Sequence, residues 1–466
     1  MEYLVPLWEH QKKAVELSKS QTSFALFMET GTGKTATLIN ILRTLFTKNK
    51  RIGKTLIFSP PITLSNWHRE WGVHSKIQEQ VCVLKGSGAK RLKDFLKGDK
   101  KIYITNYEAL LMEPLFEAFL KWEPEVLVGD ESHKTKDIKA RRTKQFILLS
   151  DIAKHKYLLT GTPVLNTPMD IFSQFRALDG GETFGKNFFA FRATYFYDAN
   201  ASMPRDRYFP NWKIRPGAIE EINEKIYTKA YRVRKEECLD LPPLVKQVHE
   251  VELSPEQARA YEEMKQDFIT TIRGETCVAT LAITKALKLM QIVSGFVNAE
   301  KASVRMKWTP RQLALQELLE TLCIEHKVLV WAVFKENYRQ IAEVCDALKL
   351  KFVEVHGEVS EKDREVAVKN FQKDPETKVF IGHPGSGGIG INLVEASYSI
   401  WYSRNFSLEQ DIQAEARNYR AGSEQHVKIT RIDLVARGTI DEEITKRLAN
   451  KQAISDRVLQ EIASLI

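Results

Sequence analysis

Phe24-Ala25-Leu26-Phe27-Met28-Glu29-Thr30-Gly31-Thr32-Gly33-Lys34-Thr35-Ala36 is the stretch from which the rest of the chain can be read. The apolar run 24–28 predicts a strand, and the sequence from Ala36 onward predicts a helix. Between them, Gly31 and Gly33 let the backbone wrap an anion, with successive N–H groups and the helix N-terminus facing it. Lys34 is then placed to reach the β- and γ-phosphates of a nucleoside triphosphate, and the Thr35 hydroxyl to ligate Mg2+. Met28 stands where the full phosphate-loop pattern has its first glycine, although the strand-loop-helix context supports the reading regardless. A chance glycine turn before a helix is the competing explanation.

Two further clusters bear on that loop. Asp130 and Glu131 follow the apolar run Val126-Leu127-Val128. An aspartate at a strand end beside a phosphate loop suits the Mg2+ shell, and its neighbour Glu131 suits polarising the attacking water. Taken alone, the two acids read as a polar strand exit. Near the far end, Gln413, Arg417 and Arg420 fall at i, i+4 and i+7, which predicts one face of a helix. Arginines so close repel by a few tenths of a kcal/mol unless an anion lies opposite, and a γ-phosphate is such an anion. The bland alternative pairs them with Glu409, Asp411 or Glu415.

Composition sets bounds. The 466 residues exceed one ordinary domain, and the 43% hydrophobic and 28% charged fractions suit a soluble protein with a full core. The longest strongly apolar run, 328–334, falls far short of the roughly 20 residues that span a bilayer, so no membrane partner is expected. No basic segment followed by an apolar core marks a secretory signal at the start. Five cysteines, at 82, 238, 277, 323 and 345, are scattered without a CxxC, which fits free thiols in a reducing compartment. Cys323 and His326 have ligand-like spacing without a second pair, and a helix surface is the simpler reading. A formal net charge of +9 is compatible with a polyanionic partner such as nucleic acid, although charge alone does not establish it. Basic clusters at 85–101 and 134–144 read equally well as solvated helix faces.

Short β-branched and apolar runs recur between helical stretches. In the first half they lie at 55–58, 102–105, 126–128 and 157–159; in the second, at 328–334, 352–355, 379–381, 399–402 and 427–432. Buried parallel strands read this way, and their alternation with helices predicts an α/β sheet in each half, with chemistry at the strands' carboxyl ends. Residues 180–216 are rich in Gly, Phe, Tyr, Asn and Pro and show no strand alternation, the pattern turns helical at 217–234, and 241–243 interrupt it, so a mostly helical insertion is expected, followed by a linker near 235. The expected lobes are 1–235, with the helical extension from about 180, and 236–466.

With these residues assembled, the chain resembles a helicase superfamily 2 ATPase, and within it the Swi/Snf-related double-stranded DNA translocases. Leu7-Trp8-Glu9-His10-Gln11 is similar to the family's entry segment, which implies adenine reading by Gln11. Glu29 to Thr35 matches the phosphate loop, so Glu29, Thr30, Gly31, Thr32 and Gly33 join Lys34 and Thr35 as implied nucleotide residues. Leu56 to Pro61 with Asn66-Trp67, and Ile104 to Glu108, resemble motifs on the nucleic-acid side, implying DNA contacts by Pro60, Asn66, Trp67, Thr105 and Tyr107. Asp130-Glu131-Ser132-His133 has serine where the family has alanine. Leu159-Thr160-Gly161-Thr162-Pro163 with Asn166 matches the coupling motif, implying coupling roles for His133, Thr160 and Thr162, although Leu165 replaces the usual glutamine. Residues 231–235, 241–243 and 253–254 resemble the segment joining the lobes and favour the Swi/Snf group.

In the second half, His356-Gly357 and the glycine-rich 387–393 match motifs that imply DNA contacts by His356, Gly387 and Gly388 and a nucleotide contact by Gly390. Residues 383–386 depart from the family's Ser-Thr-Arg-Ala. Residues 413–422 match the last motif, implying that Gln413, Arg417 and Arg420 meet the nucleotide. The resemblance thus implies two RecA-like parallel-sheet lobes flanking a nucleotide cleft. It also implies ATP and Mg2+ as cofactors, and a monomer that hydrolyses ATP to move along double-stranded DNA. A strand-separating helicase on forks, branched DNA or RNA is the alternative, and a DNA-binding scaffold without turnover is another. A minimal motor of this size suits a bacterial cell or a phage-infected host, with a cytoplasmic location, or a nuclear one in a eukaryote.

Overall fold

The computed structural model describes residues 4–165, 167–204, 208–238, 240–267, 269–272, 275–278, 282–299, 303–306, 308–385 and 391–458. It divides into two compact units, 1–239 with 451–466, and 240–450.

The first unit is built on a seven-stranded parallel sheet. Its order is Val81–Val83, Ile102–Thr105, Thr55–Phe58, Val126–Asp130, His155–Leu159, Ser23–Met28 and Ala230–Val233. Side chains alternate across a strand, so a strand buried on both faces feeds two cores. Ala25 and Phe27 enter one core with Leu56, Phe58, Leu127 and Leu158. Phe24, Leu26 and Met28 enter the other with Ile57, Val126, Val128 and Leu159. Helices Glu113–Trp122, Arg141–Ile152 and Asp170–Asp179 cover the first face. Helices Glu9–Ser18, Lys34–Asn49 and Leu64–His74 cover the second. Phe58 meets Phe119 and Phe146 edge-on at 6.1 and 5.7 Å between ring centres. Each such fully buried ring contributes about 1.5–3 kcal/mol.

The second unit repeats the plan with a six-stranded parallel sheet. Its order is Leu244–Val251, Ile429–Ala436, Ala396–Trp401, Lys327–Trp331, Thr377–Gly382 and Lys351–Val355. Val328, Val330, Val379 and Ile381 line one face, and Leu329, Trp331 and Phe380 the other.

Five expectations change. The boundary falls at 239/240 rather than 235, because Ala230–Val233 pairs with Ser23–Met28 and so belongs to the first sheet, while Leu244 opens the second. Residues 451–466 group with the first unit. The segment 180–216 is not purely helical: helix Phe188–Tyr195 is followed by an antiparallel ribbon, Phe196–Asp198 with Trp212–Ile214. In the second unit the strand expected from 427 begins at Ile429, Val427 being almost fully exposed. Cys323 is a core residue at the end of helix Pro310–Leu322 rather than a surface one. Among the described residues, Cys82, Cys238, Cys323 and Cys345 are free thiols, and no helix is long and apolar enough to cross a membrane.

Candidate active site

Three adjacent strands of the first unit deliver the expected groups to one edge. Asp130, at the end of its strand, is in register with Leu159, and Leu159 with Leu26. The loops that follow Met28, Asp130 and Leu159 therefore emerge side by side at the carboxyl ends of the strands.

The phosphate loop has the geometry its glycines predict. Gly31 and Gly33 take φ of +95° and +84°, and Gly33 caps the N-terminus of helix Lys34–Asn49. Only a residue without Cβ enters this region cheaply. Lys34 Nζ donates to Met28 O at 2.9 Å, which folds the ammonium over the loop. The Thr32 hydroxyl donates to Glu29 O at 2.8 Å and tightens the turn. Gln11 Oε1 accepts from Trp8 N at 2.9 Å, which turns Gln11 Nε2 toward Gly33 O at 3.4 Å. Glu29 Oε2 accepts the backbone N–H of Lys235 at 3.1 Å, tying the start of the loop to the end of the unit's last strand. Glu29, expected at the nucleotide, thus also has a structural role through this bond.

Asp130 is buried. Its Oδ2 accepts from Ser59 Oγ at 2.7 Å and from Trp67 Nε1 at 2.9 Å. Burial raises its pKa, and the neighbouring charge of Glu131 adds to the rise, while the Ser59 and Trp67 bonds and the Lys34 charge oppose it. Both bonds end on one oxygen, so the second is the one a cation would take. Asp130 and the Thr35 hydroxyl at the helix N-terminus thus fit Mg2+, which takes few protein ligands and completes its shell with water and phosphate oxygens.

Glu131 has φ +52°, a left-handed conformation uncommon for a residue with a side chain. Such strain is held in place by its surroundings, and here those are visible. The Thr160 hydroxyl donates to Glu131 Oε2 at 3.2 Å, accepts Thr162 N–H at 3.0 Å and lies 3.0 Å from His133 Nδ1. A hydroxyl has one proton and two lone pairs. With the proton given to Glu131, the remaining lone pair takes an Nδ1–H from His133. Glu131, His133, Thr160 and Thr162 therefore form one hydrogen-bonded unit, the set that the sequence assigned to catalysis and coupling. A Cβ on Gly161 would stand 3.2 Å from Glu29 Cα, so this loop also packs directly on the phosphate loop.

Several residues proposed as DNA contacts are corrected. Trp67 is 1% exposed and bonded to Asp130; Tyr107, 2% exposed, donates its hydroxyl to Asp130 O at 2.8 Å. Thr105 and Pro60 are buried as well. Trp67 and Tyr107 instead hold Asp130, one by its carboxylate and the other by its carbonyl. Asn66 is partly exposed and accepts from Arg69 Nη2. His356 in the second unit is buried, with its ring stacked on Tyr338 at 4.3 Å. Asn166, Gly387, Gly388 and Gly390 lie outside the described residues.

The helix carrying Gln413 is Leu408–Glu415, so Arg417 and Arg420 follow it in turns rather than continuing its face. Gln413 Nε2 donates to Glu409 at 3.3 Å. Arg417 is buried, and its carbonyl accepts Leu393 N–H at 3.0 Å, fixing it to the end of the glycine-rich segment. Asp411 and Glu415 pair with Arg431, and Asp411 also with Arg404 and Glu415 with Lys246.

Sequence reasoning missed three residues. His10 Nε2 sits 2.9 Å from Thr32 O; its place beside Gln11 was the available signal. Ser59 lies within the quoted Leu56 to Pro61 motif. Gln174 accepts from Ser132 Oγ at 2.7 Å and donates to Pro163 O at 2.7 Å, bracing the acidic box against the coupling loop. The serine that departs from the family's alanine is thus fully buried yet satisfied.

A family model described as an SNF2-related domain matches residues 10–302, and one described as a helicase conserved C-terminal domain matches residues 312–422. The zebrafish (Danio rerio) chromodomain-helicase-DNA-binding protein 1-like is 25% identical over 95% of this chain, which covers 42% of that protein. The chain thus spans less than half the length of that curated relative. A putative protein p41 of Acyrthosiphon pisum secondary endosymbiont phage 1 is 26% identical over 92% of this chain and 93% of its own length. Among solved structures, a Sulfolobus solfataricus SWI2/SNF2 ATPase core in complex with dsDNA covers 98% of this chain and 93% of its own, at 24% identity and a TM-score of 0.45.

Proposed function

Because this chain belongs to the SNF2-related family of helicase superfamily 2 ATPases, we propose that it hydrolyses ATP to move along double-stranded DNA without separating the strands. The observation that carries the reading is the Glu131–Thr160–His133 unit, which links the residue suited to polarising water to the loop expected to report on the nucleic acid. Lys34 holds the β- and γ-phosphates, and Gln11 contacts the base. Asp130 and Thr35 would hold Mg2+, which when bound would neutralise phosphate charge. Glu131 accepts a proton from the attacking water. Arg417 and Arg420 are read from their motif as the cations that stabilise charge on the transferred phosphate.

Contacts of such a motor go mainly to DNA phosphates, so binding is expected to be salt-sensitive and weak in sequence preference. The test compares ATPase stimulation by duplex DNA, single-stranded DNA and RNA, together with triplex displacement and fork unwinding. Strongest stimulation by duplex with triplex displacement supports translocation. Stimulation chiefly by single strands, with fork unwinding, would replace it by a strand-separating helicase. DNA binding with no turnover in any condition would leave a scaffold.

A further inference from the structure

The helix–ribbon element at 188–215 takes no part in the site described above, yet it carries an unusual surface. Four aromatic rings are strongly exposed: Phe189 at 63%, Phe209 at 60%, Tyr208 at 46% and Tyr197 at 44%. Single exposed apolar side chains need no explanation, but several on one small element do. Ribbon register explains how they are presented. Phe196 pairs with Ile214 and Tyr197 with Lys213, so the first pair turns inward to the core while Tyr197 and Lys213 stand side by side on the outer face.

The described residues of the element are tied together by hydrogen bonds. The Asp198 carboxylate accepts the backbone N–H groups of Asn200 and Asn211 at 2.9 and 2.8 Å and the Tyr208 hydroxyl at 2.5 Å. Asn200 Nδ2 donates to Phe209 O at 3.0 Å. The Arg192 guanidinium lies 3.9 Å from the centre of the Trp212 ring and 5.2 Å from that of Phe189, joining helix to ribbon by cation–π contact.

Charge on the same element favours an anion. Lys186, Lys213 and Arg215 are exposed. Among the described residues the acids are otherwise engaged: Asp198 by its own turn, and the neighbouring Glu182 by Lys229 at 2.5 Å. Rings on display among cations suit an unpaired nucleic-acid strand, whose bases stack on aromatic faces while its phosphates meet basic side chains. A duplex buries its base faces and offers nothing for these rings to stack on.

We propose that the described ribbon residues, 196–204 and 208–215, form a binding platform for single-stranded nucleic acid, with Tyr197 and Phe209 as stacking surfaces and Lys213 and Arg215 as phosphate contacts. The platform gives the motor a grip on an unpaired strand at a junction, separate from its track along duplex. This goes beyond the motor reading and rests on it only for the setting, and the test separates the two.

The experiment measures binding of labelled oligothymidine and of a blunt duplex to the full chain and to the variants Phe209→Ala, Tyr197→Ala and Lys213→Ala, by fluorescence anisotropy without nucleotide. All three positions are exposed, and thermal unfolding checks that the variants fold. Each lost ring is expected to weaken oligothymidine binding roughly 5- to 150-fold. Duplex affinity and duplex-stimulated ATPase should stay at wild-type level. Oligothymidine affinity unchanged in both ring variants overturns the platform while leaving the motor reading intact. Absence of duplex-stimulated ATPase in the wild type removes the motor reading but leaves the binding comparison valid. Variants that alter self-association in sedimentation, with oligothymidine binding intact, make the patch a protein interface and overturn the proposal.

Discussion

The indole N–H of Trp67 donates to Asp130 Oδ2 across 2.9 Å, inside the first unit and away from solvent. A residue whose motif pointed to nucleic acid is therefore part of the support of the carboxylate proposed to hold Mg2+. Trp67→Phe keeps most of the ring and deletes the donor. A charge-assisted hydrogen bond of this kind is worth about 1.5–3 kcal/mol. ATPase activity is expected to fall roughly 10- to 150-fold, with duplex DNA affinity unchanged. A variant with normal turnover and weakened DNA binding would restore the contact role.

Gly33 offers a second test close by. A Cβ there would stand 2.1 Å from Gln11 Nε2, and the residue's φ is +84°. Gly33→Ala should therefore lose about 1–2 kcal/mol from the backbone alone, and the displaced Gln11 should cost nucleotide affinity as well. Adding Gln11→Ala relieves the collision but not the backbone term. Thermal unfolding of the double variant should accordingly recover only part of the loss; full recovery would mean that the backbone carries no strain.

What could be read in advance follows from burial. The strands at 55–58, 102–105 and 328–331 are covered on both faces, so their runs are continuously apolar and stand out. Val81–Val83, Ala230–Val233 and Leu244–Val251 went unread, and all three are edge strands. Leu244–Val251 breaks its apolar residues with the pairs Lys246-Gln247 and His249-Glu250, because much of it meets solvent. That Lys34 and Asp130 stand on neighbouring loops at the sheet's carboxyl edge was legible because a phosphate loop and a strand-end acid have characteristic residue types and spacing, while Thr160 was named only through the family resemblance. The direction of a side chain is not written in a motif, so Trp67, Tyr107 and Glu29 were assigned outward or toward nucleotide when each turns to a partner inside its own unit. Gln174 carries no local signal, since its partners Ser132 and Pro163 are distant in the chain.

The Glu131–Thr160 bond should separate binding from turnover. Thr160→Val keeps the buried shape and removes the hydroxyl, leaving Glu131, His133 and the Thr162 N–H without their shared partner. ATP affinity is expected to persist while DNA-stimulated turnover falls by roughly one to two orders of magnitude, the scale of about 1–3 kcal/mol for unsatisfied buried groups. Full stimulation in this variant, read by ATPase titration with duplex DNA, would remove the hydroxyl from the coupling path.

Arg431 is the centre of a buried charge cluster with Asp411, Glu415 and Asp433 in the second unit. Burial disfavours ionisation of Asp411, but the charges of Arg431 and Arg404 outweigh it, and its pKa falls below the ordinary 3.8. Glu415 is likewise held low by Lys246 and Arg431 against its burial. A carboxyl with a depressed folded-state pKa contributes stability above its unfolded value and loses it as pH falls through the folded one. Unfolding midpoints should therefore drop as pH is lowered through about 4 and below. Arg431→Met removes the cation that three acids share, leaving them only Arg404 and Lys246, and should cost up to about 3–5 kcal/mol at neutral pH, read by denaturant unfolding. An unchanged midpoint would show the cluster to be dispensable.

Lys34 and Arg420 divide the proposed reaction between ground state and transition state. Lys34 Nζ rests on Met28 O, and its removal deletes one bond without opening a core, so Lys34→Ala should fold normally and lose ATPase activity. Glu131→Gln keeps an oxygen for Thr160 and should do the same, because the amide is no base. Arg420 lies in the turn after helix Leu408–Glu415, where the motif assigns it to charge that develops only as the γ-phosphate leaves. Interactions made only in the transition state change turnover and spare binding. Arg420→Ala should therefore bind ATP with wild-type affinity and lose turnover by about 10³-fold or more. Calorimetric titration with a non-hydrolysable analogue, beside steady-state ATPase, makes the distinction. If affinity and turnover fall together, Arg420 supports the fold or the ground-state complex, and the arginine must be struck from the catalytic set.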